Sequence, residues 1–306
     1  MARASSWLRS APSFCLPGKV HAGDVARSPS GERPAGRADY DGVVMIRVGI
    51  GGWVFAPWRG TFYPKGLSQA DELAYASRHV TSIEINATFY RTQSAASFRR
   101  WRDQAPDDFI FAVKGPRTAT HRRALDDAQP SIERFLTSGI LELGHKLGPI
   151  LWQLPKTMRF NEPSIAAFFA LLPKQIDQCR LRHVVEVGHE SFVTPQFITL
   201  ARAHDIAIAF VDSAGHPALG DVTADFVYAR LRRSEEAEPT GYPQSALDLW
   251  TRRFRSWETG EEPSDVSRLQ PDPCGASKRD CFVYFISGAK VRAPAAAMAL
   301  LERLGS

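Results

Sequence analysis

The stretch MIRVGIGG, residues 45–52, is a short β-branched run that closes on two glycines, and runs of its kind recur along the chain. The others are VTSIEIN (80–86), FIFAVKG (109–115), PILWQLP (149–155), HVVEVG (183–188), IAIAFVD (206–212), FVYARL (226–231) and CFVYFIS (281–287). Apolar runs of about four to eight residues fit strands buried on both faces, as in parallel sheets. Amphipathic patterns fill the gaps. Ser68 is placed to cap a helix running to about His79, and Ser94 a second one ending before Pro106. Further helices are expected over 130–146, 163–172, 195–204, 244–258 and 294–304. The gap 213–225 is short and holds Gly and Pro, which leaves its helix missing or vestigial. Eight strands alternating with helices over 45–306 predict a single (β/α)₈ barrel, a fold of about 250 residues. An open doubly wound sheet is the competing architecture. Its glycine-rich phosphate loop has no counterpart here, because GIGGW (49–53) lacks the third glycine and runs into WVFAPW rather than a helix.

Composition agrees with a globular chain. Of 306 residues, 44% are hydrophobic and 23% charged, so a disordered protein is excluded. No apolar run reaches the roughly 18–20 residues of a membrane span. The net charge of +5 falls to +3 over 45–306, because residues 1–44 carry six basic and four acidic side chains. That leader lacks helical or strand periodicity and is rich in Ala, Arg, Ser, Gly and Pro, a disordered composition. It reads as a start codon assigned ahead of Met45, as a disordered tail or as an Arg/Ser-rich transit-like peptide; no apolar core of a secretory signal is present. Cys15, Cys179, Cys274 and Cys281 form no C-x-x-C pair and fit reduced thiols in a cytoplasmic protein.

Barrel enzymes work at the C-terminal ends of their strands. In this sequence those ends collect polar residues: Trp53 after the first strand; Glu84, Asn86 and Tyr90 at the second; Lys114 at the third, with His121 beyond it. Gln153 ends the fourth, Glu186 and His189 the fifth, Asp212 the sixth. The seventh carries Tyr228, Arg230 and Arg232, and Ser287 and Lys290 follow the eighth. A charge inside an apolar strand is costly unless paired. Side chains alternate along a strand, so Glu84 shares a face with Asn86, and Tyr228 with Arg230. Such a layer either ties strands together or builds a ligand site, and the five charges Glu84, Lys114, Glu186, Asp212 and Arg230 at one end favour the site.

Other readings stay open at this level. Glu84, Glu186, Asp212, His121 and His189 could assemble a divalent metal site, although no local ligand motif links them. Trp53, Phe55, Trp58, Phe62 and Tyr63 either cap the barrel mouth against a flat or sugar-like ligand or pack the first loop. Arg59 and Arg91 beside aromatics would suit nucleic acid.

The segments GGWVFAPWRGTFYPKGL (51–67), EINATFYRTQSAASFRRW (84–101), FIFAVKGPRTATH (109–121), LGPILWQLP (147–155), VVEVGHESF (184–192) and DVTADFVYARL (221–231) together resemble the YecE-like TIM-barrel family, domain of unknown function 72. The resemblance covers about 45–304 and implies a barrel without an assigned reaction. The family usually carries an arginine where this chain has Gly188, a His-Gly pair where it has Arg232-Arg233, and two asparagines where it has Ile286-Ser287. Loss of the basic side chain at 188 shifts any anion-binding role toward Arg230 or Arg232.

The expected function is an enzyme, of hydrolase or isomerase/lyase type, acting on a small anionic or sugar-like substrate by general acid/base chemistry. Glu84, Glu186, His189 and Lys114 form the expected catalytic set. Trp53, Asn86, Tyr90, His121, Gln153, Asp212, Tyr228 and Arg230 form the substrate-binding set. The alternatives are a nucleic-acid binder or metal-assisted phosphodiesterase, and a non-catalytic small-ligand barrel.

Overall fold

The computed structural model describes residues 45–271 and 277–305; the expectations for residues 1–44, Cys15 and Cys274 lie outside the described residues. The expected strands form, with ends shifted by a residue or two. They are β1 (Ile46–Gly51), β2 (Ser82–Ile85), β3 (Ile110–Lys114), β4 (Leu147–Gln153) and β5 (His183–Glu186). A sixth run is split into β6a (Ile206–Ile208) and β6b (Phe210–Asp212), followed by β7 (Phe226–Leu231) and β8 (Asp280–Phe285). All pairings among them are parallel, each strand beside its sequence neighbour, and β8 pairs back onto β1. β6a pairs with β5 while β6b pairs with β7, so the ladder changes partner at Ala209 and the barrel comes round on itself.

Helices α1 (Glu72–Ala76), α2 (Ala95–Gln104), α3 (Gln129–Leu136), α4 (Glu162–Ala170), α5 (Pro195–His204), α6 (Gln244–Thr259) and α7 (Ala293–Leu304) occupy the connections. Ser94 caps α2, accepting from the Ser97 amide at 3.2 Å. Ser68 does not cap: its hydroxyl donates to the Asp71 carboxylate at 2.7 Å, and a 3₁₀ turn precedes α1. The helix expected over 130–146 breaks, because Gly139 takes a left-handed φ of 106° and the chain resumes as 3₁₀ turns over Ile140–Lys146. Residues 213–225 hold no helix, as their Gly/Pro content foretold. None of the described helices is long and apolar enough to cross a membrane. Cys179 and Cys281 are free thiols.

The alternation of side chains then sorts each strand into an outer face under the helices and an inner face in the barrel lumen. The inner cluster rises from Ile110, Phe226 and Phe282 through Ala112, Tyr228 and Tyr284. One step further along the same faces stand Lys114, Arg230 and, on β2, Glu84. The apolar lumen therefore ends in a charged layer at the C-terminal rim.

The glycines of β1 belong to this packing. A Cβ on Gly49 would lie 2.1 Å from the Ser82 carbonyl oxygen and 3.1 Å from the Tyr284 ring. A Cβ on Gly51 would meet the Asn86 amide nitrogen at 3.3 Å. Gly49 and Gly51 thus make room for close packing inside the barrel. Gly49→Ala should force β1 from β2 and cost about 1–3 kcal/mol, the range of overpacked cores. Urea unfolding checks this: the midpoint falls and the m-value holds, whereas an unchanged midpoint contradicts the packing account.

Candidate functional site

Arg230 lies at the centre of the charged layer and is buried. β7 presents it inward two residues after Tyr228. Its Nε and Nη2 donate to the two oxygens of Glu84, each at 3.0 Å, which is a bidentate pair. Its Nη1 donates to Glu186 Oε2. Tyr228 OH donates to Glu84 Oε2 at 2.7 Å. Glu186 Oε1 also accepts from Arg232 Nη2 at 2.7 Å and from Gln153 Nε2 at 2.6 Å. The last contact follows from register, since Gln153 and Glu186 are ladder partners on β4 and β5. Burial alone would raise the Glu186 pKa, but Arg230 and Arg232 outweigh it and hold the group at about 2. Glu186 is therefore a carboxylate throughout the physiological range.

Above this layer opens a cavity of about 530 Å³. Its cationic wall is Lys114, Arg230, Arg232 and Lys290; Trp53, Asn86, Tyr90 and Gln153 contribute further. Among the described residues, no carboxylate lines it. Glu84 and Glu186 lie beneath the arginines and are sealed from it.

Lys114 differs from the other cations of the floor. Its Nζ sits 3.9 Å from the centroid of the Phe89 ring and, among the described residues, makes no hydrogen bond or ion pair. Burial first, and then the Arg230 charge, bring its pKa down to about 8. Thr88 Oγ1 donates to the Lys114 carbonyl at 2.7 Å and fixes the end of β3.

Other members of the expected set sit elsewhere. Tyr228 is buried under Glu84, its ring 5.1 Å from that of Tyr284. His121 is half-buried behind Phe89, at 5.3 Å between rings, with Nδ1 3.0 Å from Thr120 Oγ1. Burial, Arg117 and Lys114 depress its pKa. His189 turns to its own backbone: Nδ1 accepts the Ser191 amide at 3.1 Å and caps the 3₁₀ turn Glu190–Phe192. Asp212 projects outward, pairs with Arg233 at 3.0 Å and lines a separate outer cavity. Burial raises its pKa against the opposing charges of Arg233 and Arg253. Of the five side chains considered for a metal, Glu84 and Glu186 converge on Arg230 while His121, His189 and Asp212 lie elsewhere, and among the described residues no group of three or more His, Cys, Asp or Glu is arranged to hold an ion.

Arg232 and Lys290 stand on the wall without belonging to the expected set. For Arg232 the signal was available, since 228, 230 and 232 share one face of the run. Its Nη1 lies 3.0 Å from Nε2 of buried His216, whose pKa is lowered by burial and by Arg232 itself. Of the first-loop aromatics, Trp58 and Tyr63 are buried and Phe55 and Phe62 pack edge-on against Trp58, while Tyr75 of the following helix packs edge-on against Tyr63. Trp53 reaches the cavity. A Cβ on Gly188 would lie 2.8 Å from Lys156 Cγ, so an arginine there has no room while Lys156 keeps its place.

A family model described as a protein of unknown function, DUF72, matches residues 47–306. The chain is similar to the UPF0759 protein YecE of Escherichia coli strain K12, with 32% identity over 149 residues, 48% of this chain and 50% of that protein. It is also similar to the UPF0759 protein YunF of Bacillus subtilis strain 168, with 30% identity over 40% of this chain and 44% of that one. These alignments span about half the length of the curated relatives. A DUF72 family protein of Thermotoga maritima shares the fold with a TM-score of 0.66 at 22% identity, over 86% of this chain and all of that one. One from Enterococcus faecalis V583 gives 0.61 at 15%, over 86% and 96%.

The buried network makes a stability test. Arg230→Met strands Glu84 and should cost on the order of 3–5 kcal/mol, the range for breaking a buried ion pair. Adding Glu84→Gln and Glu186→Gln should recover much of that loss. Chemical denaturation of the single and triple variants checks both; a cost below about 1 kcal/mol for Arg230→Met contradicts the network.

Proposed function

The chain belongs to the DUF72 family, whose description names no reaction, and we propose that it is a cytoplasmic enzyme acting on a small anionic substrate at the C-terminal mouth of the barrel. One observation carries the reading: Lys114, Arg230, Arg232 and Lys290 line the cavity, while both carboxylates of the layer lie sealed below. Four cations over two glutamates leave a positive surplus in a low-dielectric recess, where it attracts an anion more strongly than the same charges would in water.

The acid/base role passes to Lys114. Glu186 is held ionised by two arginines, and Glu84 is buried with both oxygens bonded to Arg230, so neither faces a ligand with which to exchange protons. Lys114 is uncommitted, and a pKa of about 8 populates both ammonium and amine near neutrality. As general base, the amine removes a proton from a carbon or oxygen of the substrate. The electron pair left behind settles on a substrate oxygen facing the Arg230 and Arg232 guanidinium groups. The resulting ammonium then returns the proton at the neighbouring atom or to the leaving group. Asn86 and Gln153 orient the substrate, and Trp53 and Tyr90 supply apolar wall. Glu84, Glu186 and Tyr228 position the arginines.

Incubating the purified protein with metabolite pools and reading native mass spectra identifies the retained anion and any product. With that substrate, kcat/KM should rise about tenfold per pH unit below about 8 and level off above it. Lys114→Ala should abolish turnover and this limb while the anion is still retained. A ligand recovered unchanged from the wild-type protein assigns a binding barrel instead, and a turnover that survives Lys114→Ala removes Lys114 from the chemistry.

A further inference from the structure

We infer that the anionic group of the substrate is a phosphoryl dianion, seated against the β7 and β8 ends on Arg232, Lys290 and the amides of Ser287 and Gly288. This rests on the cationic-cavity reading and adds the ligand class and its orientation.

Charge comes first. Of the four cations on the wall, Arg230 and Arg232 share Glu84 and Glu186, while Lys114 and Lys290 have no carboxylate partner among the described residues. With Lys114 as ammonium the wall carries two uncompensated charges, which match a dianion, and with Lys114 as amine Lys290 still stands uncompensated on the wall that Arg232 shares. Lys290 is held in place from two sides. Its Nζ lies 4.6 Å from the Phe55 ring centroid, and its carbonyl accepts the Trp58 indole N–H at 3.0 Å. The first-loop aromatic cluster thus serves as a platform for a cation.

The backbone between β8 and Lys290 is the second observation. Ser287 and Gly288 are consecutive left-handed residues, with φ of 68° and 59°. Ser287 lines the cavity. The segment is pinned on both sides: the Ile286 amide donates to the Leu231 carbonyl at 2.9 Å and the Ala289 amide to the Ser234 carbonyl at 2.8 Å. Ser234 Oγ also donates to the Ser287 carbonyl at 3.1 Å. Between these ties the amides of Ser287 and Gly288 donate to no acceptor among the described residues. A Cβ on Gly288 would stand 2.7 Å from the Ser234 carbonyl, so the turn takes its shape only with glycine there. Successive free amides in such a turn form an anion-binding concavity. A non-glycine residue held at positive φ on a cavity wall is strain of the sort kept at functional sites.

A phosphoryl group presents three acceptor oxygens to amides, a guanidinium and an ammonium, whereas a planar carboxylate presents two. Loops after the seventh and eighth strands are also where barrels commonly seat phosphate. With the phosphoryl group there, the rest of the substrate extends across the cavity toward Lys114 on β3.

Calorimetric titration of inorganic phosphate into the whole protein at pH 7 and low salt, with succinate as the dicarboxylate comparison, tests this. Phosphate should bind more tightly than succinate. Lys290→Gln should weaken phosphate about tenfold or more, the worth of one charge-assisted contact. Lys290→Arg should restore affinity to within about threefold, which loss of structure would not allow, and Lys114→Gln should weaken phosphate less than Lys290→Gln does. Succinate binding as tightly as phosphate, or phosphate binding indifferent to Lys290→Gln, overturns the phosphoryl seat. If that happens while Lys114→Ala still abolishes turnover of an anionic substrate, the broader reading stands. If neither anion binds the wild-type protein, both fall.

Discussion

Arg230 cannot be buried alone. A guanidinium cannot shed its proton inside a protein, so carrying it into the lumen demands opposite charge at hydrogen-bond distance. Glu84 and Glu186 answer from across the barrel, on β2 and β5, and each needs further donors to satisfy its own oxygens. Tyr228 and Gln153 supply these, and Arg232 takes the remaining place on Glu186. The whole floor of the cavity follows from that one burial. Replacing such a network by apolar residues is often neutral or stabilising in other proteins. Stability is thus a poor reason for a chain to hold one, and a rigid, permanently charged floor beneath a cavity is a better one.

Sealing the glutamates has a consequence for the cavity above. They act as counter-ions that hold the guanidinium planes rather than as groups offered to a ligand. The field that reaches the cavity is the arginines', and Lys114 feels it. Burial and Arg230 together bring the ammonium to about 8, although Glu84 and Glu186 oppose the shift. One network therefore generates both a fixed cationic surface and, beside it, a titratable amine.

The strands were legible because parallel barrel strands are buried on both faces and leave apolar runs in the chain. The convergence of charge at one end was legible for the same reason, since a charged residue stands out in such a run. Depth was not legible. Alternation says that Glu84, Lys114 and Arg230 share the lumen, but which side chain lies uppermost depends on their lengths and on pairings across the barrel. Asp212 is a different case, because alternation did carry the answer. Ala207, Ala209 and Val211 face the lumen, so Asp212 must face out, and its partner Arg233 holds the same outward parity after Arg232. His189 lies past the end of its strand, where alternation no longer applies, and its local bond to the Ser191 amide settles its place. The break at Gly139 is a local backbone event inside an otherwise continuous apolar pattern.

The overall charge balance was a weak guide for the same physical reason. A net of +5 spread over 306 residues is a small imbalance, and surface charges are screened within about 8–10 Å. Charges in a recess are screened far less, so position outweighs number. Acid/base chemistry sets a further condition. A group that exchanges protons with a ligand must face that ligand and must not be bound to a stronger partner. Glu84 and Glu186 fail the second condition, His121 and His189 fail the first, and Arg230, Arg232 and Asp212 fail one or the other. Lys114 meets both, with an aromatic ring rather than a carboxylate at its ammonium, and that is why the proposed chemistry is placed on it.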